Sequence, residues 1–170
     1  MSLTHTYTLR VEFGDCDPAQ IVWFPNFFRW VDAASRHFFV QCGLPSWKET
    51  ERERGILGTP LVDTQARFVR PASYGDTLAI DSGVTEWRRK SFVMTHRIRR
   101  GDTLLVEVTE VRVFARRRPG SDDPHAIEAV AGPADSRAPW GGPAAPGARK
   151  PPTPTGGGRR AGGGRPGRRR

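Results

Sequence analysis

Cysteine is scarce in this chain. Its 170 residues hold two, Cys16 and Cys42, which is too few for a disulfide scaffold and lacks the spacing of a metal site. Long apolar runs are missing as well, and nothing approaches the ~20 residues that cross a bilayer. The opening Met-Ser-Leu-Thr-His-Thr has neither the basic nor the apolar region of a signal peptide. The chain therefore reads as cytoplasmic, with no membrane partner. Acid is absent from one stretch, Arg137 to Arg170, which carries nine Lys or Arg. Taking those nine from the 27 in the chain leaves 18, against 18 Asp and Glu in residues 1–136. The body is formally neutral, and the whole net charge of +9 belongs to the tail. About half of that tail is Gly or Pro, with Trp140 its single large apolar residue, so it reads as disordered. A basic tail of this kind suits nucleic acid, but no aromatic residues interleave its arginines as stacking platforms. The expected organisation is a folded domain over 1–136 and a tail over 137–170.

What is present is concentrated between Val11 and Cys42. An acidic turn, Gly14-Asp15-Cys16-Asp17-Pro18, leads through Ile21-Val22-Trp23-Phe24-Pro25 into an apolar helix. Asn26 is the expected N-cap, and Gly43 and Pro45 supply the stop. Phe27, Trp30, Val31, Ala34 and Phe38 share a core-facing stripe; Phe28, Asp32, Ser35 and Phe39 form a second, interrupted by a carboxylate. A helix apolar on two faces must be surrounded.

Around it the pattern is strand-like. Tyr7, Leu9, Val11 and Phe13 alternate with polar residues in a first strand. Ser46 precedes a short charged helix from Trp47 to Arg54, closed by Gly55. Thr59 to Arg70, Leu78 to Trp87, Phe92 to Ile98 and Leu104 to Phe114 read as strands, with Ala126 to Val130 as a short last one. The alternation in the fifth strand changes phase near Glu110, which predicts a bulge there. Short turns such as Arg88-Arg89-Lys90 and Arg100-Gly101-Asp102 require antiparallel neighbours. One antiparallel sheet and one hydrophobic helix have an economical solution, a sheet curled around the helix. The predicted class is α+β, of the hot-dog type, with sheet edges that favour a homo-oligomer.

Several chemical readings compete for these residues. Asp15-Cys16-Asp17 matches the D-x-D of an aspartate phosphatase, but that site needs a doubly wound parallel sheet this pattern excludes. Asp15 reads as a turn former. Asp17, just before the helix N-terminus, reads as a catalytic carboxylate beside free N–H groups able to stabilise an oxyanion. Cys16 as a nucleophile would need His37 or His96 as its base, and nothing places either nearby. Asp15, Asp17 and Asp32 lack the further ligands of a metal shell. Arg88-Arg89-Lys90 alone reads as a solvated hairpin tip.

The run Glu12-Phe13-Gly14-Asp15-Cys16-Asp17-Pro18-Ala19, then Ile21 to Asn26, Arg29-Trp30 and Asp32 to Arg36, resembles the 4-hydroxybenzoyl-CoA thioesterase family, the type whose catalytic Asp lies in the loop before the central helix. The resemblance continues through Cys42 to Pro45, Gly58-Thr59-Pro60, Glu86 to Phe92 and Val111 to Ala115, covering about residues 5–135. It implies that Asp17 is nucleophile or general base, and that the backbone N–H of Phe24 polarises the thioester carbonyl. It implies that Thr59 lies near the thioester, that Asp32 meets the substrate's ring hydroxyl, and that Arg88, Arg89, Lys90 and Ser91 hold the CoA arm. Gln20 stands where a Gly is often found. The implied activity is hydrolysis of 4-hydroxybenzoyl-CoA by a homotetrameric dimer of dimers, without metal or other cofactor. The alternatives are a broader aromatic or short-chain acyl-CoA thioesterase, and a non-catalytic acyl-CoA-binding or RNA-associated protein.

Overall fold

The structure is a computed structural model that describes residues 3–132. The basic tail at 137–170, and the expected boundary at 136, lie outside the described residues. The elements follow as β1 (His5–Arg10), a 3-10 turn (Phe13–Asp15), α1 (Pro25–Gln41), α2 (Trp47–Arg54), β2 (Leu61–Phe68), β3 (Thr77–Trp87), β4 (Ser91–Arg100), β5 (Thr103–Arg117) and β6 (Ile127–Val130). All pairings are antiparallel, in the order β1-β3-β4-β5-β2, with β6 on the far half of β5.

The sheet packs against α1. The stripe read from the sequence is buried throughout: Phe27, Trp30, Val31, Ala34 and Phe38 are all core residues. Of the second stripe only Ser35 and Phe39 are buried, while Asp32 is exposed. The helix begins differently from expectation. Asn26 is not the cap; Pro25 is the first helical residue, and Phe24 precedes it with helical angles and no side-chain cap. Proline suits that position because its φ is preset and its missing N–H would have been unsatisfied anyway. The Asn26 amide instead donates to the Asp15 carbonyl at 2.9 Å, tying the acidic turn to the helix. Gly43, with φ +82°, closes the far end, where a side chain would be strained. Phe13 also departs from expectation: β1 ends at Arg10, and Phe13 stands exposed in the 3-10 turn, edge-on to Tyr74.

The interior falls into two apolar clusters. One, near the start of α1, joins Phe27, Trp30 and Val31 to Leu78, Ile80, Ile98 and Val106. The other, near its end, joins Phe38 and Phe39 to Val84, Phe92, Met94 and Phe114. Between them four elements contribute buried polar residues: Ser35 from α1, Ser82 from β3, His96 from β4, Glu110 and Arg112 from β5.

That belt corrects the predicted bulge. On β5 the inward positions run Val106, Val108, Glu110, Arg112 and Phe114 without a phase change. The irregularity lies earlier, at Leu105: Ile98 pairs with Val106 and Arg99 with Leu104, so Leu105 is the extra residue. Its carbonyl accepts the N–H groups of Val69 and Arg70, which follow β2. Two charged residues occupy positions that hydrophobicity alone would have given to Val111 and Val113.

Candidate active site

The acidic turn is built from local backbone bonds. The Asp17 N–H donates to the Ile21 carbonyl, the Gln20 N–H donates to the Asp17 carbonyl, and the Ala19 N–H donates to Asp17 Oδ1, each at 2.9 Å. Such an Asx turn fixes the half-buried carboxylate through one oxygen. Gln20 takes φ +64°, a left-handed conformation that a glycine would adopt without strain. Asp15 is structural, as read from the sequence. Its Oδ2 accepts the Glu12 N–H at 2.9 Å, and its Oδ1 accepts from Arg29 at 3.0 Å. Its carbonyl accepts the Trp23 N–H as well as the Asn26 amide.

The turn is thereby docked on the entrance to α1. There the N–H groups of Asn26 and Phe27 are engaged by the Trp23 and Phe24 carbonyls, and Pro25 has none. The Phe24 N–H is the donor left at this end of a 17-residue helix, whose dipole favours negative charge beside it. Asp17 lines a concavity with Phe13, Gly14, Cys16, Pro18, Gln20 and Tyr74. Phe24 lines a separate apolar cleft, with Ile21, Val22, Phe27, Phe68 and Val69.

Asp32 and Thr59 lie together, in a different place. With Arg36, Trp47, Pro60, Leu61 and Arg112 they line a cleft of about 200 Å³. Arg29 and Arg36 stand three residues before and four after Asp32, the spacing of an ordinary surface ion pair along α1. The structure pairs Asp32 with Arg112 instead, Nη2 to Oδ1 at 2.8 Å, and Phe28 is not among the lining residues. Arg112 is buried, so its guanidinium requires partners on every side. It forks onto Glu110, Nε to Oε2 at 2.8 Å and Nη2 to Oε1 at 3.1 Å, and its Nη1 donates to the Thr59 carbonyl at 3.1 Å. Burial alone would raise the Glu110 carboxyl, but hydrogen bonds from His96 and Arg112 outweigh it and hold the group at about 2. Burial likewise opposes the charge on Arg112, and Glu110 and Asp32 more than offset it, so its pKa is raised.

The third group stands apart. Arg88, Arg89 and Lys90 form the exposed tip between β3 and β4, and Ser91 opens β4. Arg88 is not a bare cation: its guanidinium forks onto Glu86 at 2.8 and 3.0 Å. The acidic turn touches the chain just before β3, where Val22 bonds Ala72 and Val11 bonds Asp76. The basic tip follows the other end of that 11-residue strand, roughly 33 Å away at about 3.3 Å per residue. One chain therefore presents Asp17, Asp32 and the basic tip as three separate stations.

The cysteine reading loses its bases. His96 is enclosed by Ser82, Ser35 and Glu110, and His37 lies against Tyr7. Burial pushes the Cys42 thiol up to about 12, which makes it inert near neutrality. The belt residues Ser35, Ser82, His96, Glu110 and Arg112 were not singled out as site residues from the sequence. The available signal was the two-residue phase of Ser82, His96, Glu110 and Arg112 with buried neighbours, and the place of Ser35 on the second stripe of α1.

One antiparallel sheet packed on one central helix defines the hot-dog class of α+β protein. The sequence model of the Thioesterase-like superfamily matches residues 11–154, and the chain belongs to that superfamily. Among its relatives is the 4-hydroxybenzoyl-CoA thioesterase of Pseudomonas sp. (strain CBS-3), 51% identical over 140 residues that cover 79% of this chain and 96% of that protein. A crystal structure of a 4-hydroxybenzoyl-CoA thioesterase mutant, D17N, complexed with 4-hydroxybenzoyl-CoA superposes with a TM-score of 0.75 at 48% identity, covering 81% of this chain and 99% of that one. The 1,4-dihydroxy-2-naphthoyl-CoA hydrolase of Synechococcus sp. (strain WH7803) is 28% identical, over 71% of this chain and 84% of that protein. No helix among the described residues is long and apolar enough to cross a membrane.

Proposed function

We propose that the chain hydrolyses 4-hydroxybenzoyl-CoA to 4-hydroxybenzoate and free CoA. The observation that carries the reading is the Asp17 carboxylate, held by its own turn, which the Asp15 carbonyl docks on the entrance of α1 that Phe24 opens. The thioester carbonyl oxygen accepts the Phe24 N–H, and the helix dipole stabilises the charge that grows there in the transition state. Asp17 attacks the acyl carbon to form an acyl anhydride that water then hydrolyses, releasing 4-hydroxybenzoate and the free carboxylate, or it takes a proton from a water that attacks the acyl carbon directly. The CoA thiolate leaves and is protonated. Asp32 accepts the ring hydroxyl, and Thr59 lines the same cleft. Arg89, Lys90 and Ser91, with Arg88, bind the CoA arm.

We place the complete site between chains of a homo-oligomer, a dimer of dimers, in the cytoplasm. Two observations support this. The three stations are separated within one chain, and β2, an edge of the sheet, exposes Leu61, Val62 and Phe68.

The test is release of free thiol from a panel of CoA thioesters. 4-Hydroxybenzoyl-CoA should have the highest kcat/KM, ahead of benzoyl-CoA and of short-chain acyl-CoA. Equal turnover of the two aromatic thioesters would replace this substrate with a broader aromatic range. Binding without hydrolysis of any of them would leave an acyl-CoA-binding protein.

A further inference from the structure

The buried polar belt is not needed to close the core. Removing a carboxylate and a guanidinium from water is costly, and well-packed apolar residues in their place are often as stable or more so. Positions on either side of the belt are filled by Val108, Ile80, Met94 and Phe114. The belt does, however, reach the surface at one point. Ser82 Oγ lies 2.8 Å from His96 Nδ1, and His96 Nε2 lies 3.3 Å from Glu110 Oε2. The Ser35 hydroxyl donates to the same Glu110 oxygen at 3.1 Å. Glu110 receives the Arg112 fork, and Arg112 Nη2 emerges on Asp32, whose side chain is 73% exposed.

The consequence is an exposed carboxylate with a fixed anchor. An Asp on the outer side of a helix would ordinarily sample several rotamers. Arg112 cannot follow it, because Glu110 and the Thr59 carbonyl hold the guanidinium on two other sides. One oxygen of Asp32 is therefore engaged in a stated direction, and a carboxylate has lone pairs on its second oxygen to offer. An acceptor oriented before the ligand arrives binds a donor better than one that must be ordered on binding.

We propose that Arg112 is a positioning residue for substrate choice: clamped by Glu110 and Thr59, it aims Asp32 so that the carboxylate accepts the hydroxyl of a hydroxyaryl thioester. This rests on the reading of Asp32 given above and adds the device that makes it selective. The buried Ser82–His96–Glu110 chain is the rigid backing of that device.

The experiment compares kcat/KM for 4-hydroxybenzoyl-CoA with that for benzoyl-CoA in the full-length protein and in three variants. Wild type should favour the hydroxylated substrate by about tenfold or more. Asp32→Ala should bring the ratio near one. Arg112→Lys keeps a cation but loses the fork, and should lower the ratio severalfold. Adding Arg112→Lys to Asp32→Ala should change the ratio no further, because both act through one contact. Glu110→Gln, which keeps shape and acceptor but not charge, should shift the ratio in the same direction. Melting curves accompany each variant, and if Arg112→Lys does not fold, Glu110→Gln decides. A ratio erased by Asp32→Ala but unchanged in a folded Arg112→Lys or Glu110→Gln overturns the positioning role and leaves Asp32 standing. A ratio that survives Asp32→Ala overturns the reading of Asp32 itself, and the positioning role with it.

Discussion

Asp17 and Asp32 are both carboxylates on the approach to or along α1, and they are held in opposite ways. Asp17 accepts a backbone N–H from its own turn, and its anchors are all local. Asp32 accepts from a buried guanidinium contributed 80 residues later, itself backed by Glu110 and His96. The first arrangement leaves the carboxylate without a cation partner among the described residues, which suits chemistry. The second fixes a carboxylate in direction, which suits recognition. On the proposed reading, the same side chain serves two purposes according to what anchors it.

The comparison breaks most visibly in stability. Glu110→Ala should destabilise the fold by about 3–5 kcal/mol, because it strands the buried Arg112 charge. Arg29→Ala, which removes the exposed partner of Asp15, should cost less than about 1 kcal/mol. Urea unfolding separates the two, and equal losses would deny the belt its special place. The belt also predicts a pH window. Glu110 is depressed from 4.5 to about 2 on folding, so its stabilisation is complete above about 4.5 and is lost as pH falls towards 2. In Glu110→Gln the fall in stability across that window should be shallower than in wild type.

The basic tip offers a smaller effect, confined to binding. Replacing Arg89 and Lys90 together with Ala should raise KM for CoA thioesters roughly ten- to hundredfold, with kcat changed far less. Arg88→Ala should raise it less, because Glu86 already occupies that guanidinium. Steady-state kinetics on all three decides, and an unchanged KM returns the tip to a solvated hairpin. Smallest of all is Gln20→Gly. Relief of the left-handed strain should stabilise the turn by about 0.5–1 kcal/mol, net of glycine's greater freedom when unfolded. An unaltered or lowered urea midpoint would show that Gln20 bears no such strain.

Much of the fold was legible because hydrophobic periodicity reports burial directly. The α1 stripe follows from it, the Ser46 cap and Gly55 stop of α2 from local capping chemistry, and the β3–β4 and β4–β5 pairings from their short turns. The pairing of β2 with β5 rather than β3 was not legible. The turn that holds Asp17 ahead of α1 was legible because a turn motif and a helix entrance adjoin in sequence. What failed was whatever depended on polar residues facing inward. Glu110 read as a surface position, so the bulge of β5 was expected there rather than at Leu105, and the partner of Asp32 was sought on its own helix. Long-range ion pairs leave no periodic trace, and the Asp32–Arg112 contact exists only once β5 lies beside α1. The separation of Asp17 from Arg88 was equally hidden, since it depends on which end of β3 each one reaches.

The most direct test of the whole account is Asp17→Asn, with turnover and binding of 4-hydroxybenzoyl-CoA measured on the same preparation. Asn preserves shape and can still accept the Ala19 N–H, but it serves neither as nucleophile nor as base. Turnover should fall by about 10²–10⁴ or more while the thioester still binds. Turnover close to wild type would contradict the assignment of Asp17 and, with it, the site built on the entrance of α1.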